Sequence, residues 1–209
     1  MDNSAAPAFG MYLLLFSGFL GSGKTSLVIP LAKAAAGSGH PTAVIVNEIG
    51  DIGIDNQLMR QLEINVWELI AGCICCTLSG NLVATLEKLD SQYSPHLVII
   101  EASGAADPAK VLSALPYYRG RPLASVRTAC VLDPLRLKML TEVITPLITS
   151  QIAHADVIII AKTDIATREE VDFARRTATD VKPDAHILIS GKEGRLKTEL
   201  VSELLPWPI

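Results

Sequence analysis

Residues 11–25, MYLLLFSGFLGSGKT, are the part of the sequence from which the fold of this chain is most directly predicted. The stretch opens with an apolar run, and residues 18–25 then fit the pattern G-x-x-x-x-G-K-[ST] in full. Gly18, Gly21 and Gly23 permit the backbone angles that turn successive N–H groups toward a phosphate. A helix beginning at Lys24 would add partial positive charge at the same place. A strand, this loop and a helix in succession are the context that the motif requires, so a glycine-rich turn that meets the pattern by chance is the poorer reading.

The residue types in the loop predict a site for a nucleoside triphosphate and Mg²⁺. Lys24 is expected to bridge the β- and γ-phosphates, and the Thr25 hydroxyl is expected to ligate Mg²⁺. The predicted phosphate site consists of Gly18, Gly21, Ser22, Gly23, Lys24, Thr25 and Ser26.

Composition narrows the class of protein. The chain has 209 residues, 49% of them hydrophobic, which is enough for one domain with a well-buried core. The net charge is −4 and the basic residues are scattered, so nucleic acid is not an expected partner. No apolar run reaches the roughly 18 residues of a membrane span, and Asp2 stands where a signal peptide would carry basic residues. We therefore expect a cytoplasmic protein with a flexible tail at residues 1–10.

Short runs rich in Val, Ile and Leu alternate with helix-like segments along the chain. Most of these runs lack polar alternation, as strands do when helices cover both faces of a parallel sheet. The pattern predicts an α/β fold with an open, doubly wound, mostly parallel sheet of the P-loop NTPase type. Strands are predicted at residues 11–17, 41–47, 64–69, 96–101, 127–133, 156–161 and 185–190. Helices are predicted to start near Lys24, Ser79, Pro108, Leu135, Thr167 and Glu193.

Two loops that follow predicted strands carry further polar chemistry. Glu101 ends an apolar strand, where its carboxylate can hold a water on Mg²⁺, and the N–H of Gly104 can sense the γ-phosphate. Asp164 can accept hydrogen bonds from the N1 and N2 donors of guanine while the Lys162 stem covers the base. Adenine lacks those donors, so this arrangement favours GTP over ATP. Either loop alone could be an exposed charged turn.

Three of the four cysteines lie together in GCICC at residues 72–76. A disulfide among Cys73, Cys75 and Cys76 is disfavoured in a reducing compartment, and adjacent cysteines form only strained bridges. Three thiolates on a turn can instead converge on Zn²⁺ or Co²⁺ and leave an open coordination position for transfer. The alternative is a set of small buried apolar side chains, and that reading is assigned to the fourth, Cys130.

These motifs resemble, in residues and in order, those of the CobW-type GTPases, metallochaperone relatives of the urease and hydrogenase maturation GTPases. The resemblance runs from about residue 11 to about 190. It rests on GFLGSGKT (18–25), NEIGDIGID (47–55), GCICC (72–76), EASGAADP (101–108) and AKTDIA (161–166).

The resemblance implies a role for each motif. Residues 47–55 become a first switch, Glu101 and Gly104 belong to a second, and Lys162 with Asp164 reads the base. Ser190 and Lys192 are placed at the edge of the guanine pocket. Residues 11–205 would form the GTPase domain, and the second, C-terminal domain that most members carry is expected to be absent from this chain.

Two positions depart from the family pattern. Ala161 stands where the base motif usually begins with Asn, which ties the base to the phosphate loop. Asp51 stands where members usually carry Glu. Glu48 and Asp51 have three open roles, namely ligating Mg²⁺, positioning the attacking water, or lending an oxygen to the transferred metal.

The leading hypothesis is a GTPase switch that binds zinc, or cobalt, at the cysteine loop and delivers it to a client metalloprotein. Because no motif supplies an arginine finger, turnover should be slow unless a partner or a nucleotide-dependent homodimer accelerates it. The alternative is a non-catalytic, nucleotide-gated metal-binding or docking module. A small-molecule kinase on the same scaffold would leave the cysteine triplet unexplained.

Overall fold

The computed structural model describes residues 10–46, 65–68, 78–191 and 198–207, and residues 65–68, 78–81 and 198 by their backbone only. Seven strands of this part form one sheet in the order β3-β2-β4-β1-β5-β6-β7, and every neighbouring pair is parallel. The strands are β1 (Met11–Ser17), β2 (Thr42–Val46), β3 (Asn65–Glu68), β4 (Leu97–Glu101), β5 (Leu123–Leu132), β6 (Val157–Ile160) and β7 (His186–Ile189). The predicted parallel α/β sheet is confirmed.

Helices connect the strands. They are α1 (Lys24–Gly37), α2 (Leu78–Tyr93), α3 (Pro108–Ala114), α4 (Pro134–Val143), α5 (Thr145–Ala153), α6 (Arg168–Val181) and α7 (Thr198–Leu204). A short 3₁₀ turn, Leu115–Tyr117, follows α3. The predicted starts at Lys24 and Pro108 are confirmed, whereas the start predicted near Glu193 falls in a range outside the described residues.

The segment between β5 and β6 contains two helices where the sequence predicts one start. Pro134 opens α4, and the Asp133 side chain accepts a hydrogen bond from the Leu135 N–H. Ile144 ends α4 and begins α5, whose first turn contains Pro146. Proline fits a first helical turn but not a helix interior, so it separates the two helices here.

Apolar side chains leave both faces of the sheet. In β1, Leu14 and Phe16 pack into a core with α1 and α7, whereas Leu13 and Leu15 pack into a second core with α2 and α3. A third core joins α4, α5 and α6 to β5 and β6. Alternate residues of a strand point to opposite faces, so a continuous apolar run is what a strand between two helical layers requires.

The carboxyl ends of the strands lie in register at one edge. Phe16 of β1 pairs with Glu101 of β4, which also pairs with Val46 of β2. On the other side, Ile160 of β6 pairs with Leu132 of β5. The loops that follow these strands therefore converge, as ligand sites of open α/β sheets do. Within the part of the chain that the structure describes, no helix is long and apolar enough to cross a membrane.

Candidate functional site

The phosphate loop has the backbone that its glycines predict. Gly18, Gly21 and Gly23 have φ angles of 134°, 75° and 101°, in the left-handed region that favours glycine. At Gly18 space also forbids a side chain, because an added Cβ would lie 2.3 Å from the Val131 carbonyl oxygen. Gly23 caps α1 without a side-chain hydrogen bond. The helix N-terminus thus presents backbone donors and partial positive charge, a favourable environment for an anion.

Lys24 lies inside this loop. Its side chain is buried, and its ammonium donates to the carbonyl oxygens of Gly18, at 2.8 Å, and Phe19, at 3.3 Å. A phosphate oxygen entering the loop would offer this ammonium a charged acceptor in place of neutral ones, and hydrogen bonds between charged groups are the stronger kind. Ser22 is buried beside it and Ser26 is exposed on the first turn of α1.

Thr25 and Glu101 meet across the sheet. The Thr25 hydroxyl donates to Oε1 of Glu101 at 2.6 Å, although the two residues are 76 positions apart in the chain. Glu101 ends β4, the neighbour of β1, and is buried. A hydroxyl and a carboxylate at the mouth of a phosphate loop are the hard oxygen donors that Mg²⁺ prefers. These residues fit the magnesium site that the sequence predicts.

The loop after β4 touches the phosphate loop directly. A Cβ added to Gly104 would lie 2.2 Å from the backbone nitrogen of Leu20 and 2.7 Å from its Cα. Gly104 is therefore in contact with the phosphate loop, which is where a second switch must be to sense a γ-phosphate.

Side chains of helix α5 form hydrogen bonds with the loop after β4, which the sequence did not predict. The fully buried Gln151 donates from its amide nitrogen to the carbonyl oxygens of Gly104, at 3.4 Å, and Ala106, at 3.3 Å. Ser150 donates to the Asp107 carboxylate at 2.6 Å, and this hydrogen bond, with others, lowers the pKa of Asp107 despite its partial burial. A glutamine inside an apolar helix is a signal for such a role, but its partner cannot be read from the sequence.

Lys162 does more than the sequence predicts for it. Its ammonium donates to the Gly21 carbonyl oxygen at 2.7 Å and to Oδ2 of the buried Asp133 at 2.8 Å. Its φ angle is 55°, unusual for a residue other than glycine. Lys162 therefore fastens the loop after β6 to the phosphate loop.

The loop after β6, which is predicted to read the base, lies beside the loop after β7. Asp164 is exposed, and a Cβ added to Gly191 would lie 3.6 Å from the Cβ of Asp164. The Thr163 N–H donates to the Ser190 carbonyl oxygen at 3.3 Å. Ser190 is thus adjacent to the carboxylate predicted to read guanine, whereas Lys192 lies outside the described residues.

Ala161 stands next to the phosphate loop. Its Cβ is 3.9 Å from where a Gly23 Cβ would be, so a polar side chain at position 161 could have reached the loop. The methyl group of Ala161 cannot donate a hydrogen bond there.

Arg136 is a second residue of the site that the sequence did not predict. It lies in the first turn of α4 and donates to the Leu20 carbonyl oxygen at 3.0 Å. Its guanidinium carbon is 5.5 Å from the centre of the Phe19 ring. An arginine four positions after a strand end is too common a pattern to single out from sequence.

Of the four cysteines, Cys130 lies in the part of the chain that the structure describes and the other three do not. Cys130 is completely buried in β5, so the prediction that it is a small buried residue is confirmed, and burial raises the pKa of its thiol to about 12. Cys73, Cys75, Cys76, Glu48 and Asp51 lie outside the described residues. Within the described ranges no group of three or more His, Cys, Asp or Glu side chains could hold a metal ion.

Comparison with known proteins covers nearly the whole of this architecture. A family model described as CobW/HypB/UreG, nucleotide-binding domain, matches residues 12–189. That range begins in β1 and ends with β7, so it includes the phosphate loop and the loops after β4 and β6.

Two curated relatives show the extent of the similarity. The zinc chaperone YeiR of Escherichia coli (strain K12) is 33% identical over 163 residues, which are 78% of this chain and 49% of that protein. The zinc-regulated GTPase metalloprotein activator 1 of Schizosaccharomyces pombe is 30% identical over 202 residues, 91% of this chain and 47% of that protein. The chain thus spans about half the length of these relatives.

Solved structures share the fold. The hydrogenase maturation factor HypB from Archaeoglobus fulgidus superposes with a TM-score of 0.65 at 17% identity, covering 93% of this chain and 89% of that one. Zn(II)-bound YjiA GTPase from E. coli gives a TM-score of 0.64 at 22% identity, covering 92% of this chain and 61% of that one.

Proposed function

Because this chain belongs to the CobW/HypB/UreG nucleotide-binding domain family, we propose that it is a GTP-binding, slowly GTP-hydrolysing metallochaperone. In this proposal it binds a transition metal, zinc by preference, at Cys73, Cys75 and Cys76 and delivers it to a client metalloprotein. The observation that carries the nucleotide part is the complete phosphate loop, with Lys24 buried in it and Thr25 bonded to Glu101.

In this proposal, GTP is hydrolysed by in-line attack of water on the γ-phosphate. Lys24 would bridge the β- and γ-phosphates. The N–H groups of the loop and the N-terminus of α1 would stabilise the negative charge of these phosphates. Thr25 and Glu101 would hold Mg²⁺, which supplies neutralisation of the charge that develops on the phosphate oxygens. We propose that GTP turnover is slow, because the guanidinium of Arg136, which lies beside the phosphate loop, already donates a hydrogen bond to the Leu20 carbonyl oxygen.

Guanine specificity rests on Asp164. Its exposed carboxylate lies beside the loop of Ser190 and Gly191, where it could accept from the two donors that guanine has and adenine lacks. Lys162, bonded to Gly21, would keep this base site in fixed relation to the phosphate site. The name of the S. pombe relative, a GTPase, supports the same choice of nucleotide.

The metal part of the proposal rests on the cysteine spacing and on the relatives. Three thiolates suit zinc or cobalt and leave a position open for transfer. The relatives named zinc chaperone and zinc-regulated activator support zinc.

The sheet offers a route for coupling the two sites. The proposed first switch, residues 47–55, follows β2, and the cysteine segment follows β3, the neighbour of β2. Both strands end at the edge where Glu101 ends β4. We propose that nucleotide state, sensed by the loop of Gly104, changes the metal affinity, with a client protein or a nucleotide-dependent homodimer as partner.

A paired titration tests this function. GTP and ATP binding to the reduced protein would be followed with and without Co²⁺, reading the Co²⁺–thiolate absorption in the same samples. We expect GTP to bind more tightly than ATP and to change the cobalt spectrum. In Lys24→Ala nucleotide binding should be lost and metal binding kept.

The reciprocal variant replaces Cys73, Cys75 and Cys76 by Ser. It should lose stoichiometric Zn²⁺ and Co²⁺ but keep basal GTP hydrolysis. Zinc retained by this variant would overturn the metal assignment, and GTP turnover unchanged in Lys24→Ala would overturn the nucleotide site. GTP binding without any multiple-turnover phosphate release would favour the non-catalytic, nucleotide-gated module instead.

A further inference from the structure

Arg136 contacts the phosphate loop from a helix that belongs to none of the sequence motifs. Its guanidinium donates to the Leu20 carbonyl oxygen at 3.0 Å and lies over the Phe19 ring. It also covers Gly21, since a Cβ added there would lie 3.3 Å from Nη1 of Arg136. The side chain therefore packs along three successive residues at the tip of the loop.

The hydrogen bond to Leu20 fixes the orientation of one peptide group. A trans peptide is planar, so its C=O and its N–H point in opposite directions. With the Leu20 carbonyl turned toward Arg136, the N–H of Gly21 points away from the guanidinium. A phosphate cradled by this N–H must lie on that opposite side, away from the arginine.

The next peptide group is held in the same way by another cation. Lys162 donates to the Gly21 carbonyl oxygen at 2.7 Å and forms a salt bridge with the Asp133 carboxylate at 2.8 Å. Asp133 also caps α4, the helix that carries Arg136. Two consecutive carbonyls of the loop are thus anchored by two cations, one from helix α4, which follows β5, and one from the loop after β6.

This arrangement bears on Ala161. The methyl group at position 161 lies 3.9 Å from where a Gly23 Cβ would be and gives the loop no polar tie. Arg136, in the helix that follows β5, nevertheless donates a hydrogen bond to the phosphate loop.

We propose that Arg136 is a positioning residue for nucleotide phosphates, which orients the Leu20–Gly21 peptide so that the Gly21 N–H faces the phosphate chain. This rests on the proposed nucleotide-binding function. Arg136 acts through the backbone and does not reach the reacting γ-phosphate, so its removal should weaken phosphate binding without slowing the chemical step.

Arg136→Ala, Arg136→Lys and a matched control, Arg175→Ala, test this. Arg175 is exposed on α6, so its replacement removes one guanidinium away from the loop. Affinities for GTP, GDP and inorganic tripolyphosphate would be measured by competition against a fluorescent GTP analogue, and kcat by phosphate release at saturating GTP. Melting temperatures of the nucleotide-free proteins complete the set.

For Arg136→Ala we expect all three ligands to bind about tenfold more weakly, as for loss of a hydrogen bond from a charged donor, with kcat within about twofold of wild type. Tripolyphosphate is included because it has no base, so an equal loss places the effect at the phosphates. Arg136→Lys keeps a cationic donor and should recover part of the affinity. Arg175→Ala should bind like the wild type.

Three results would overturn the inference. GTP affinity in Arg136→Ala equal to wild type would mean that the contact has no role in binding, whatever happens to the melting temperature. A fall in kcat on the order of 10³-fold at unchanged affinity would make Arg136 a catalytic arginine finger instead. Failure of wild type and Arg175→Ala alike to bind GTP would refute the proposed function, and this inference with it.

Discussion

Replacing Gly104 by Ala tests the contact between the proposed second switch and the phosphate loop. The added Cβ would lie 2.2 Å from the backbone nitrogen of Leu20, 2.7 Å from its Cα and 2.8 Å from its Cβ. Two of these atoms belong to the backbone, so no rotation of a side chain relieves the overlap. The two loops must separate by about 1 Å to restore an ordinary contact.

Both loops resist that separation. Gly104 is held by the Gln151 amide, and Leu20 is held by Arg136. Overpacking a well-packed site costs about 1–3 kcal/mol. In a domain of this size each kcal/mol corresponds to about 2–4 °C in melting temperature, so the expected loss is about 2–12 °C. Displacement of the loop should also weaken GTP binding by about tenfold or more.

Thermal unfolding with and without GTP measures both effects, and Gly37→Ala provides the control. Gly37 ends α1, and no atom lies within 4 Å of the position that its Cβ would take. Alanine should be neutral there or stabilise the protein by up to about 1 kcal/mol. If Gly104→Ala melts and binds GTP like Gly37→Ala, the inferred contact between the switch loop and the phosphate loop is wrong.

Three further substitutions test other contacts of the structure. Lys162→Ala removes the donor to the Gly21 carbonyl and should weaken GTP binding about tenfold in equilibrium titrations; unchanged affinity would contradict the anchoring role. Gln151→Leu should lower the free energy of unfolding, measured in urea, by about 1–3 kcal/mol, because two carbonyls of the loop after β4 lose a buried donor. An unchanged free energy of unfolding would show that Gln151 does not brace this loop. Burial alone would raise the pKa of Asp90, but the hydrogen bonds from the Arg121 backbone N–H and guanidinium outweigh it and lower that pKa. A lowered pKa in the folded state stabilises the protein at pH values above the ordinary pKa of 3.8, so Asp90→Asn should lower the free energy of unfolding at pH 7. The difference in free energy between the variant and wild type should shrink as the pH falls below about 4. A difference that does not change with pH would refute this.

Much of the fold was predictable because its determinants are local. The apolar runs of β1, β4 and β6 have no polar alternation, and that alone predicts a sheet covered on both faces. Pro108 marks the start of α3 because proline fits a first helical turn, and the Asp107 carboxylate before it accepts from the Ala109 N–H. The presence of two helices between β5 and β6 was harder to predict from the sequence, because they are separated at Pro146 without a loop.

The phosphate loop could be predicted from the sequence because its glycines, its lysine and the start of the helix that follows all lie within residues 18–25. The sequence also determined the order of the strands along the chain. The distant groups that brace the loop became visible only in the folded chain. Arg136 bonds to a carbonyl 116 residues away, and Lys162 to one 141 residues away. Such contacts depend on which strands become neighbours in the sheet, and the strand neighbours cannot be predicted from the spacing of residues along the chain.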